Sequence, residues 1–189
     1  MPKHRGAGPA GERYEHYAVV GNNKEARQAL TTTLTHIITN NIHPDTLNAL
    51  ASARVIPLLK PNGKIRPIAC GTVLRRITAA ATAKHITKQV ADTLLPYQYA
   101  VGCPGGAEKL HKTAQALLDS DAELAMLSID MAAAFSNIHH ANIITAIQTH
   151  HPDLEPLLRP LITANATYYV KTNNTTTTKY KTNKGVPMG

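Results

Sequence analysis

The sequence predicts an α+β fold, and three patterns predict it. Two β-prone runs, Arg54–Leu59 and Lys64–Ala69, flank Pro61-Asn62-Gly63, and Asn-Gly between such runs is a strong short-range hairpin signal. Apolar residues recur at helical spacing over 25–39 and over 72–95, each stretch long enough for several turns. Strands and helices then interleave without the strict alternation of a parallel α/β sheet.

Residues 1–22 carry Gly6, Gly8, Pro9, Gly11 and Gly21 and read as a loop-rich leading segment. The helix over 25–39 presents Ala29, Leu30, Leu34, Ile37 and Ile38 on one side and stops at Asn40-Asn41. After the hairpin, the spacing predicts one long helix from Thr72 to Leu95, closed by Pro96. Pro104-Gly105-Gly106 opens another that runs through Leu118 to the turn Asp119-Ser120-Asp121. Residues 123–129 form an apolar run of strand length ending at Asp130. Helices around 139–150 and 153–165 follow, and Tyr168–Lys171 and Lys179–Thr182 read as a hairpin around a threonine-rich tip.

Composition narrows the function. Over 189 residues, 43% hydrophobic and 17% charged describe a folding chain rather than a disordered one. The formal net charge of +8 favours a polyanionic partner, although a basic surface also serves solubility. Two cysteines, Cys70 and Cys103, exclude a disulfide scaffold and fit a reducing compartment. No signal-peptide core follows Met1, and no uncharged apolar run reaches the roughly 18 residues of a membrane span, so the expectation is a soluble intracellular chain.

Three places carry candidate chemistry. Asp130 closes the apolar run ahead of Met131-Ala132-Ala133-Ala134-Phe135. A carboxylate at a strand end suits a divalent cation, and the same residue equally serves as a helix cap. Lys60, Lys64 and Arg66 surround the hairpin turn, with Arg75 and Arg76 opening the next helix. They offer ammonium and guanidinium groups to phosphate oxygens, or they simply protect a sheet edge. Lys184-Gly185-Val186-Pro187-Met188-Gly189 places two glycines around a proline, where backbone can lie flat against a flat partner. His139-His140 and His150-His151 diverge by about 100° on a helix and read as surface polarity, not a zinc pair.

In this order, these motifs resemble a reverse transcriptase of the non-LTR retrotransposon kind, similar to the spliced-leader site-specific retroelements of trypanosomatids. Ala7–Gly11 with Arg13–His16 resembles the motif before the fingers. Arg54–Ile68 with Leu74-Arg75-Arg76 is similar to the fingers hairpin and its following helix. Pro96–Gly102 with Pro104–Glu108 resembles the template-side segment, Ser128–Asn137 palm motif A, and Lys184–Gly189 the start of motif B.

The resemblance implies a right-hand polymerase fold. Residues 1–119 would be fingers with template-side helices, and 120–189 a partial palm truncated before motif C. It implies RNA template, DNA primer and dNTP as partners, no membrane, and a nuclear site. Asp130, helped by the Met131 carbonyl, would be the catalytic carboxylate holding two Mg²⁺ ions. Lys64 and Arg66 would bind the triphosphate, with Met131 and Ala134 beside the nucleotide and Phe135 excluding a 2′-hydroxyl. Gly185 and Gly189 would track the templating pair, and Lys60, Arg75 and Arg76 would contact nucleic acid.

Two departures stand out. Met188 sits where many relatives carry Gln, and no Tyr-x-Asp-Asp turn occurs; the sole later Asp, Asp153, suits a helix start. The 189 residues alone are therefore expected to be inactive. The alternative from another class is a non-catalytic RNA- or DNA-binding remnant.

Overall fold

The computed structural model describes residues 6–94, 96–171 and 177–186. Its helices are α1 (Tyr14–Ala18), α2 (Lys24–Ile38), α3 (Pro44–Ala51), α4 (Val73–Leu94), α5 (Gly106–Ser120), α6 (Ala134–Asn137), α7 (His140–His150) and α8 (Glu155–Thr163). Its strands are β1 (Ala53–Leu59), β2 (Ile65–Gly71), β3 (Tyr168–Lys171) and β4 (Thr177–Tyr180). The fold is α+β, as predicted. The chain divides into two compact units, residues 1–80 with 133–189, and residues 81–132.

In the first unit the four strands form one sheet in the order β2-β1-β3-β4. β1 and β2 pair antiparallel from Ala53↔Gly71 to Leu59↔Ile65. Asn62 and Gly63 build the turn as expected: Gly63 donates to the Lys60 carbonyl at 2.9 Å and takes φ +75°, a left-handed position that glycine fills without steric cost. β1 also pairs parallel with β3, but only from Ala53↔Tyr168 to Val55↔Val170. The outer half of the hairpin therefore runs beyond the sheet as a two-stranded ribbon. The Pro57↔Pro67 rung marks its base, and neither proline can donate to a third strand there.

Helix α3 was not foreseen. Its signal is local: Pro44 at the first turn, with His43 Nδ1 accepting from the Asp45 amide at 3.2 Å. Its C-terminal end organises the unit. The Leu50 carbonyl accepts from Thr72 Oγ1 at 3.0 Å, and the Ala51 carbonyl from Arg75 Nη1 at 3.0 Å, which satisfies orphan carbonyls of a helix end. Asn48 Oδ1 accepts from the Asn165 amide at 2.8 Å, and Ser52 Oγ from the Thr167 amide at 2.9 Å. Those two bonds dock the segment before β3 and bring it parallel to β1. The buried core here is Ile37, Leu50, Ala51, Ala53, Cys70, Val73, Thr78 and Ile144.

The leading segment is not merely loop. It contains α1, and Glu12 Oε1 accepts from the Val73 amide at 3.0 Å, capping α4.

The second unit contains the later turns of α4, α5 and the segment leading to Ala132. Ala91 is buried there, and Gly102 leaves its Cβ position to Ala91 and Thr87. The strand predicted over 123–129 does not form. Residues 123–132 hold no helix or strand, and Leu127 and Ile129 are 81% and 77% exposed. Leu124-Ala125-Met126-Leu127-Ser128-Ile129 is apolar on both alternating faces, so as a strand it requires ladder partners and cover on both sides. Among the described residues no strand pairs with it. β3 and β4 pair antiparallel as a hairpin, but the second strand begins at Thr177, two residues before the expected Lys179–Thr182; the rest of the expected tip, residues 173–176, lies outside the described residues.

Candidate functional site

The hairpin ribbon carries Lys60, Lys64 and Arg66 away from the sheet. Lys64 and Arg66 are exposed, Lys60 is partly so, and none has an ion-pair partner among the described residues. The ribbon is also apolar: Leu58, Leu59 and Ile65 stand 49%, 77% and 65% exposed. Three cations on a ribbon with bare aliphatic sides can meet both phosphate oxygens and a flat apolar surface.

Arg75 and Arg76 are placed differently from that ribbon. Arg75 is largely buried with Nη1 on Ala51, and burial lowers its pKa while the nearby Tyr168 hydroxyl acts in the opposite sense. Arg76 donates to the Gly6 carbonyl at 2.9 Å and lies over the Tyr14 ring, 4.8 Å from its centroid. Both guanidinium groups are engaged within the fold.

The first unit builds its second feature around α6. Ala133, at φ 50°, turns the chain into the short helix Ala134–Asn137. The loop after β4 docks on this turn through its backbone. The Gly185 amide donates to the Ile138 carbonyl at 2.7 Å and the Val186 amide to the Phe135 carbonyl at 2.8 Å. Gly185 takes φ +82°, and a Cβ there would stand 3.0 Å from the Ser136 carbonyl oxygen. Only glycine satisfies both the dihedral and the approach. Phe135 presents its ring to solvent at 60% exposure. Behind this turn, Ser136, Thr182, Lys184, Gly185 and Val186 face Val55, Pro67, Ala69 and Tyr168 of the sheet across a cavity of about 220 Å³. Thus Phe135 and Gly185, 50 positions apart in the chain, share one substructure. Gly189 and Met188 lie outside the described residues.

In the second unit, Asp130 and Met131 are exposed and belong to no strand. The expectation of a carboxylate fixed at a strand end is corrected: among the described residues the apolar run before it has no ladder partner, and Asp130 stands outside any strand. The donor set does not fit the two Mg²⁺ ions either. Among the described residues no group of three or more His, Cys, Asp or Glu side chains could hold a metal, whereas each such ion needs about six oxygen ligands.

His140 was missed. His139 is the extended N-cap of α7, outside the helix that the spacing argument assumed, and it is exposed. His140 is half-buried, and its Nε2 lies 2.8 Å from the Gly185 carbonyl oxygen. No local signal announces this contact, because the partner is 45 residues away.

Among the described residues no helix is long and apolar enough to cross a membrane. Residues 58–189 match the family described as reverse transcriptase (RNA-dependent DNA polymerase). No curated protein matches the chain.

Proposed function

The chain belongs to the reverse transcriptase (RNA-dependent DNA polymerase) family, and from that premise we propose that it forms the fingers and front palm of a non-LTR retroelement polymerase, akin to the trypanosomatid spliced-leader elements, acting in the nucleus. The family implies a nucleic-acid template and dNTP substrates. The observation that carries the reading is the basic ribbon, whose Lys60, Lys64 and Arg66 project past the sheet with no ion-pair partner among the described residues.

In this reading residues 1–119 supply the fingers and 120–189 palm. Arg66 grips the incoming triphosphate through a planar fork, Lys64 adds a point charge, and Lys60 contacts the template. Phe135 stands beside the sugar and excludes a 2′-hydroxyl by contact. The backbone at Met131 and Ala134 borders the nucleotide, and Gly185 lets the loop lie against the nascent pair. Asp130 is the candidate catalytic carboxylate. Because no group of three or more His, Cys, Asp or Glu side chains could hold a metal among the described residues, the 189 residues by themselves bind but do not polymerise.

The affinity of the chain for an RNA template annealed to a DNA primer tests this, measured with and without dNTP. A complementary dNTP should tighten the complex and a mismatched one should not, and Arg66→Ala should remove the difference. Salt-sensitive binding indifferent to every dNTP would instead support the non-catalytic remnant. Primer extension by the 189 residues that vanishes in Asp130→Ala would overturn the expectation of inactivity.

A further inference from the structure

The loop that docks on α6 has its backbone almost fully accounted for. The Lys184 amide donates to Thr182 Oγ1 at 3.1 Å, and Thr182 Oγ1 donates to the Lys184 carbonyl at 2.8 Å. The Gly185 amide is held by the Ile138 carbonyl and the Val186 amide by the Phe135 carbonyl. The Gly185 carbonyl is met by the imidazole of His140, from the first turn of α7. A carbonyl oxygen only accepts, so His140 donates from Nε2, in its neutral Nε2–H form or as imidazolium. His139 and Lys184 form a β-bridge beside it, and the His140 amide donates to the Asn183 carbonyl at 3.4 Å.

One half-buried side chain therefore closes a short path. It runs from His140 to the Gly185 carbonyl, across one peptide to the Val186 amide, and on to the Phe135 carbonyl. We infer that His140 is a positioning residue for Phe135. By clamping Gly185 in its left-handed conformation, it holds the α6 turn at the height from which the exposed ring meets the sugar of a nucleotide. Its effect is on deoxyribose-against-ribose selectivity, not on triphosphate binding. The inference rests on Phe135 facing the sugar, as proposed above.

The test uses the full 189-residue chain on an RNA–DNA primer–template, with fluorescent dNTP and rNTP of the same base as probes. His140→Leu should narrow the dNTP-to-rNTP affinity ratio by about fivefold, the scale of one lost hydrogen bond, leaving dNTP affinity nearly intact. Exchange of the Gly185 and Val186 amides should rise in the same variant. His140→Gln, whose terminal N–H can reach a comparable distance, should restore both readouts; His140→Asn, one methylene shorter, should restore neither and also covers the case in which Leu does not fold. Phe135→Val separates the two ideas. If Phe135→Val relaxes the ratio while His140→Leu and His140→Asn change neither ratio nor exchange, the positioning role is overturned and the sugar-facing reading survives. If Phe135→Val leaves the ratio unchanged, both are overturned.

Discussion

Arg75 Nη1 lies 3.0 Å from the Ala51 carbonyl oxygen and joins the first turn of α4 to the last of α3. A guanidinium that the sequence offered to nucleic acid is thereby committed to closing a helix end. Its burial lowers its pKa by desolvation, and Tyr168 acts in the opposite sense. Replacing Arg75 with Leu should destabilise the chain by about 2 kcal/mol, the scale of a hydrogen bond to a charged group. Urea unfolding reads this, and the salt dependence of nucleic-acid binding by the folded fraction should stay unchanged.

Glu12 acts at the opposite end of the logic, capping α4 from a segment 61 residues earlier. Glu12→Ala should cost about 1 kcal/mol, the usual loss for a helix N-cap. The same urea titration measures it. An unchanged midpoint would mean that the leading segment does not anchor α4.

The ribbon cations should behave oppositely to Arg75. Substituting Lys60, Lys64 and Arg66 together with Ala should change the unfolding free energy by only about 0.5 kcal/mol, as expected for solvent-facing positions. The slope of log K against log salt should fall by roughly one for each phosphate that the ribbon no longer neutralises. Fluorescence anisotropy across a salt series gives the slope.

Tyr17 gives a pH dependence with a definite sign. Burial raises its pKa, with the Glu12 charge adding to the rise. Its folded pKa thus exceeds the unfolded value near 10, so the folded state holds the proton more tightly. The resulting stability is present below about pH 10 and is lost as pH climbs through the folded value. Tyr17→Phe should reduce the decline in stability between pH 9 and 11 relative to the unsubstituted chain, in thermal melts across that range.

Ala133 should tolerate glycine well. A non-glycine residue at φ 50° pays a steric penalty of about 1 kcal/mol. Ala133→Gly should therefore hold or raise the melting temperature, and a clear fall would show that the methyl group packs.

Periodicity and turn chemistry read locally, and wherever an element is held by its own neighbours the prediction stands. The long α4, the helices α5 and α7, the Asn62-Gly63 turn and the β3–β4 pairing are of this kind. The segment 123–129 fails for the complementary reason: a strand is not a property of its own residues but of the chain beside it. The basic ribbon and the Phe135–Gly185 pair were legible as residue types. That the outer hairpin leaves the sheet follows from β3 reaching only Val55.

From the amino-acid order came the α+β class, the surplus of positive charge, and a set of motifs specific enough to name a polymerase family. Packing assigned the work within that set. It buried Arg75 against a carbonyl, left Arg66 in solvent, and turned His140 toward a glycine 45 residues away. A side chain's chemistry is written at its own position, but its partner is chosen by long-range hydrogen bonds and burial, which no window of neighbouring residues contains.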